Sequence, residues 1–334
     1  VTQFIIGRWY SIKRPKTLKI KLFSMVAEGT KIPFMKWRRF AMIFSVIALV
    51  GSLGLFGAKG LNLGIDFLGG SAVEVQAIEG EADIADIRAR VGVLGLGDVQ
   101  VQGFGTPVDV LIRVETQAGG DTAQQDAVRL VTDALSEDYD IRRVEVVGPT
   151  VSGELAIAGA IAVIVAIFAV LIYIWFRFEW QFAVGAIIAL VHDVVLTIGL
   201  YSIVGFEFNL SSIAAILTIV GYSLNDTVVV YDRVREYLRK FRKISVSDLI
   251  DMSVNSMLSR TLLTSLTTAL ALLALVVFGG EVIRGFTISM TWGVLVGTYS
   301  SIFIAAPILI FFGLKTRKTA EKEVKEKRSD GAAV

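Results

Sequence analysis

The chain has 334 residues, 54% of them hydrophobic and 19% charged, with a mean hydropathy of +0.66, too apolar for a water-soluble domain of this length. With no cysteine and a single histidine, disulfides are excluded and a metal centre has almost no soft ligands to draw on. The net charge of +2 hides an asymmetry: residues 1–40 hold ten Lys/Arg and one acid, Glu28, whereas residues 61–150 hold six Arg and sixteen Asp/Glu.

Residues 1–39 mix Lys and Arg with Phe4, Ile5, Trp9, Leu18, Phe23 and Trp37, the composition of a basic arm lying on anionic lipid. The apolar run 40–58 follows. It lacks a small-x-small cleavage site and reads as an uncleaved signal anchor and first span.

Residues 59–150 read as a folded domain. SAVEVQAI (71–78) alternates like a strand, and 81–91 is helix-like, opened by acids and closed by Gly92. Strands at 99–103 and 108–114 flank a turn, 121–135 is an amphipathic helix, and 141–147 is a last strand. The order βαββαβ is that of a ferredoxin-like α+β unit.

Residues 151–314 supply five more spans, at about 154–176, 181–204, 209–231, 261–280 and 285–314; the stretch 155–176 has no charge at all. Residues 177–180 and 205–207 are tight hairpins, and 232–260 is a basic loop. The tail 315–334 is expected to be solvated. Basic segments stay inside, so both termini are expected in the cytoplasm and the acidic domain in the periplasm. The fold class is a polytopic α-helical membrane protein with six transmembrane helices and a ferredoxin-like domain between the first two.

Little in the chain suggests catalysis. No GxxxxGK[ST] is present, and His192–Asp193 has no GxSxG nucleophile motif beside it. An enzyme, a cofactor, a metal and a nucleic-acid partner are therefore not expected. What remains is polarity inside the membrane. Asp226 lies about 7–8 Å inside the end of the fourth span, where an ionised carboxylate costs roughly 2.5–3.5 kcal/mol. Asn225 precedes it, and Ser211, Ala215, Thr218 and Tyr222 share its face. Asp193 sits in the middle of the third span and is a further candidate for a proton pathway. Arg260, Thr264, Thr267 and Thr268 form one stripe on the fifth. A carboxylate, an arginine and hydroxyls make a proton path, with burial and a nearby cation acting in opposite senses on the carboxylate. The structural alternatives are an Asp226 ion pair with Arg260 or Arg233 that locks two helices, and an Asp193 hydrogen bond between helices. His192 points about 100° from Asp193 and reads as a packing residue.

Several separate blocks carry a family resemblance: GIDFLGG (64–70), VGPTVSGEL (147–155), VHDVVLTIG (191–199), GYSLNDTVVVYDRVRE (221–236), SRTLLTSLTT (259–268) and FGG…GTYSSIFIAAP (278–307). Together they resemble the SecF family, the smaller partner in the bacterial SecD/SecF protein-export complex and a member of the RND transporter superfamily. The resemblance implies a proton-driven auxiliary subunit of the Sec translocase in the inner membrane. It would act late in preprotein export with SecD, SecYEG and the translocating chain as partners. It places the family's membrane carboxylate on Asp226 and its functional arginine on Arg260. The alternatives are a half-size RND exporter of small or lipidic molecules and a scaffold that transports nothing. Half of a twelve-span assembly needs a SecD-like partner, and the small-residue faces at Gly185, Gly199, Gly293 and Gly297 are the expected contact. Gly64, Asp66, Gly69 and Gly70 on one side, with Gly148 and Pro149 on the other, read as the signature and hinge of a moving domain.

Overall fold

The computed structural model describes residues 29–241 and 243–314. Most of the basic arm and the whole tail 315–334 lie outside the described residues.

Among the described residues, six helices are long and apolar enough to cross a membrane. They are α1 (Arg38–Lys59), α5 (Pro149–Arg177), α6 (Trp180–Val204), α7 (Leu210–Lys240), α8 (Val246–Phe278) and a sixth made of α9 (Glu281–Ser300), a π-helical turn (Ser301–Ala305) and α10 (Ala306–Phe311). Between α1 and α5 come β1 (Asn62–Leu63), the short α2 (Ile65–Leu68), β2 (Gly70–Ala77), α3 (Ile84–Gly92), β3 (Val99–Phe104), β4 (Thr106–Val114), α4 (Gly120–Leu135) and β5 (Tyr139–Val147). A last two-residue strand, β6 (Glu207–Phe208), joins α6 to α7.

The sheet order is β3-β4-β2-β5, all antiparallel, the arrangement of a split βαβ unit. Strand alternation divides its faces. Val73, Val75, Val110 and Ile112 pack under Ile87 and Val91 of α3 and Val131 and Leu135 of α4. The opposite face turns towards the helical bundle, where Ala72 and Leu111 pack on Ile65 of α2. Local chemistry sets the ends of the elements. Asp83 caps α3 by accepting from the N–H groups of Ala85 and Asp86. Gly205 closes α6 in the left-handed conformation, at φ +75°.

The basic segment 232–260 is not a loop. α7 continues to Lys240 and α8 starts at Val246, so only about a turn of irregular chain separates them. The charged residues there are good helix formers, and Ser245 caps α8 by accepting from Asp248 N–H. The sixth span starts at Glu281 and widens into a π turn just before Pro307. Proline lacks the N–H that a regular turn needs. Tyr231 of α7 donates to the Ala305 carbonyl in that turn at 3.0 Å.

Residues 29–37, the described end of the basic arm, dock on the bundle rather than lie free. Phe34 and Met35 are buried, Met35 N–H donates to Asp251 at 2.9 Å, and Asn255 exchanges two hydrogen bonds with the Ile32 backbone.

The residues expected at the hinge make contacts between the folded domain and the bundle. β1 pairs in parallel with β6, and Gly64 N–H donates to the Phe208 carbonyl at 2.9 Å. Asp66 accepts from Leu210 N–H at 2.9 Å, capping α7 from outside the helix. Arg113, on the bundle-facing side of the sheet, pairs with Glu207 and donates to Asn62 at 3.2 Å. Gly69 and Gly70 have φ of +75° and +109°, and a Cβ on Gly70 would strike the Val114 carbonyl. A Cβ on Gly148 would strike Asp121. Pro149 opens α5 in the first turn, where its missing N–H costs nothing. Gly70 thus permits close approach within the sheet, Gly148 approach of the start of α5 to α4, and Gly69 approach to Thr116 and to Ser152 of α5.

Candidate functional site

Asp226 lies on α7 at 3% exposure, and its Oδ2 is buried without a hydrogen-bond partner among the described residues. Burial of an acceptor without a partner is costly; Gln181, His192, Tyr201, Ser202 and Trp292 also bury an unpartnered polar atom, but among the described residues Asp226 is the one carboxylate that does. Arg260 is exposed on α8 and makes no ion pair with Asp226, although it is near enough to act on it electrostatically. Arg233 pairs with Glu236 instead, at 2.7 Å. The helix lock read as an alternative for Asp226 is therefore absent among the described residues.

The expected hydroxyl stripe is displaced. Thr264 donates to the Thr261 carbonyl at 2.9 Å, and the exposed Thr267 donates back to Leu263 at 2.8 Å, so both serve their own helix. Thr268 is half-buried and Asn225 exposed. The buried hydroxyls of α8 are Thr261 and Ser265, one position round from Arg260 and Thr264. Ser265 bonds Thr298 of α9 at 2.6 Å and lies 3.5 Å from Tyr222 Oη on α7. The i, i+4 spacing of Thr261 and Ser265 was the available signal, but nothing in the sequence says which of two adjacent stripes faces inward.

Asp193, on α6, is fully buried and holds three helices together. Its Oδ2 accepts from Ser223 of α7 at 2.5 Å and from Ser300 of α9 at 2.7 Å. Its Oδ1 lies 2.9 Å from His192 Nδ1, which takes the donor role towards a carboxylate. His192 is thus a partner of Asp193 and not only a packing residue, because the two side chains turn towards each other across the roughly 100° between their Cα positions. Ser223 and Ser300 were not anticipated, since only the helix packing brings residues so distant in sequence onto one carboxylate.

The glycines expected at a partner interface are used inside the chain. A Cβ on Gly185 would meet Tyr231, on Gly199 Ser52, on Gly293 Ile219 and on Gly297 Ser223. They let α6 approach α1 and α7, and α9 approach α7, as small residues do in membranes.

Six membrane-length helices with a ferredoxin-like insertion after the first, and a buried, unpartnered carboxylate on the fourth, can be compared with known proteins. Residues 127–315 match the family described as protein export membrane protein SecD/SecF, C-terminal, and residues 54–77 match the SecD/SecF GG motif. The protein translocase subunit SecF of Rickettsia rickettsii is 45% identical over 84% of this chain and 91% of its own length. The SecF of Vibrio alginolyticus is 38% identical over 92% of this chain and 98% of its own. The longer protein translocase subunit SecDF of Brucella abortus is 45% identical over 95% of this chain, which spans 42% of that protein. The crystal structure of a Thermus SecDF, described as a translocon-associated membrane protein, superposes with a TM-score of 0.82 at 31% identity, over 94% of this chain and 42% of that one. With the matched family region covering more than half its length and SecF relatives aligned almost end to end, the chain belongs to the SecD/SecF family of protein export membrane proteins.

Proposed function

We propose that this chain is the SecF-type subunit of a Sec protein translocase, using the proton-motive force to assist late steps of preprotein export through Asp226. The observation that carries the reading is the partnerless Oδ2 of a carboxylate buried in a membrane helix. Such an oxygen can take a proton without first breaking a hydrogen bond. Asp193 has every acceptor direction but one engaged, and its role is to hold α6, α7 and α9 in register. The N-terminus of α7 is clamped to the folded domain through Asp66 and Arg113, so a shift of α7 on proton loading would reach that domain directly. A change of this kind requires two states of different proton affinity.

The partner is a SecD-like chain. α7 exposes a small and polar stripe, Ser211, Ala214, Thr218, Gly221 and Asn225, and α8 exposes Arg260 and Thr267. A polar stripe suits a second set of helices better than it suits lipid, and covering it would bring further groups to Asp226 and Arg260. SecYEG and the translocating preprotein complete the assembly. The protein sits in the inner membrane with both termini cytoplasmic and the folded domain periplasmic, and it works as a transport subunit, not an enzyme.

The test is export in vesicles with and without a proton gradient, comparing wild type with Asp226→Asn. Asparagine keeps the size of the side chain but not its titration. The variant should insert and bind its partner normally yet lose gradient-dependent stimulation. Undiminished gradient dependence would remove Asp226 from the mechanism. Topology reporters at residues 100 and 330 should score on opposite sides of the membrane.

A further inference from the structure

We propose that the cleft between the C-terminal turns of α5 and α7, at the end of the bundle remote from the folded domain, binds the phosphate headgroup of an anionic phospholipid. The cleft, about 420 Å³, is lined by Arg177, Asp232, Arg235, Glu236, Arg239 and Lys240. Its volume lies within the roughly 300–1,000 Å³ of small-molecule sites.

The charges in and around it do not cancel. Arg177 takes both oxygens of Asp232, at 2.6 and 2.9 Å, and its guanidinium is held over the Phe178 ring. Glu236 is taken by Arg233, which lies outside the cleft. Both acids are therefore used. Arg235 donates only to the Arg177 carbonyl, at 3.3 Å, and Lys240 rests 5.5 Å above the Phe241 ring. Among the described residues, neither of these cations nor Arg239 has a carboxylate partner. Arg235 and Arg239 are four residues apart on one helix face, where like charges repel unless an anion sits between them. The helix dipole favours cations at this end, but it neither closes a cleft round them nor explains the surface beside it.

That surface is apolar. Phe168, Ile172, Trp175 and Phe176 recur at helical spacing along α5 and are 56–86% exposed, and the stripe they form ends at Arg177. Of the six spans, α5 is the one least covered by the rest of the chain. An apolar stripe leading into a cationic cleft at the membrane boundary matches the two halves of one amphiphile: acyl chains along α5 and phosphate among Arg235, Arg239 and Lys240. A soluble phosphate would use the cleft and ignore the stripe. A partner helix would leave the unpaired cations unanswered.

The experiment uses the full chain purified in mild detergent, with bound lipid counted by native mass spectrometry after adding phosphatidylglycerol or phosphatidylcholine. The variant is Arg235→Gln/Arg239→Gln/Lys240→Gln, with Arg142→Gln/Arg143→Gln in the folded domain as control. Wild type and control should prefer phosphatidylglycerol, and the triple variant should lose that preference by roughly tenfold or more. Added inorganic phosphate should fail to displace the lipid at matched concentration. The proposal is overturned if wild type does not distinguish the two lipids, if the triple variant retains phosphatidylglycerol like wild type, or if inorganic phosphate competes as well as the lipid does. Thermal unfolding of the triple variant controls for misfolding. Its Arg177–Asp232 pair is untouched, so a wild-type transition is expected.

Discussion

Ser223 donates to Asp193 at 2.5 Å across the interface of two membrane helices, and it stands one helical turn before Asp226 on the same helix. The carboxylate that binds helices together and the one left without a partner thus belong to adjacent layers of the bundle. Removing the acceptor strands the donors of Ser223 and His192, while Ser300 keeps the Gly297 carbonyl at 3.2 Å. Each buried donor left unpaired costs about 1–3 kcal/mol, so Asp193→Ala should lower stability on the order of 3 kcal/mol. Asp193→Asn keeps one acceptor oxygen and should cost less. Thermal unfolding in detergent ranks the three proteins, and equal stability of Asp193→Ala and wild type would contradict this role.

Arg260 predicts the opposite pattern. It is exposed and makes no ion pair among the described residues, so Arg260→Ala should change unfolding by no more than about 0.5 kcal/mol. If Arg260 acts on Asp226 in the working complex, gradient-dependent export should nonetheless fall. A variant as active as wild type would leave Arg260 without a role in coupling.

The clamp on α7 is testable by amide hydrogen exchange. Arg113 is buried and paired with Glu207, and taking one partner from such a pair costs about 3–5 kcal/mol where burial is complete. Arg113→Ala should speed exchange at Gly64, whose N–H bonds Phe208, with little change in the sheet core at Val73 and Ile112. Asp66→Ala removes a cap, typically about 1 kcal/mol, and should open the first turn of α7 at Leu210. Unchanged exchange at both places would mean the domain is not held through these contacts.

Glycine substitutions separate packing inside the chain from packing against a partner. Gly293→Val drives a side chain into Ile219 and should destabilise the isolated chain by about 1–3 kcal/mol. Gly221 is exposed with nothing within 4 Å of an added Cβ. Gly221→Leu should therefore leave the isolated chain stable and reduce co-purification of the SecD-like partner. If both variants bound the partner equally well, the polar face of α7 would not be the contact.

The sequence by itself determined the six spans, the position of the folded domain between the first two and its βαββαβ order. Those features rest on hydropathy over about 20 residues and on strand or helix periodicity, both local properties of the chain. It also singled out Asp226 and Asp193, since a carboxylate in an apolar run is conspicuous wherever the helix points. What only the tertiary structure decided is how each face is used. The four glycines expected at a partner turned inward, and the buried hydroxyls of α8 are Thr261 and Ser265, beside the stripe of Arg260, Thr264, Thr267 and Thr268. The physical reason is that apolarity no longer distinguishes inside from outside in a membrane. Lipid and protein core are equally apolar, so a helix's rotation is set by close approach and by hydrogen bonds from partners distant in sequence, such as Ser300 on Asp193, which local periodicity does not encode.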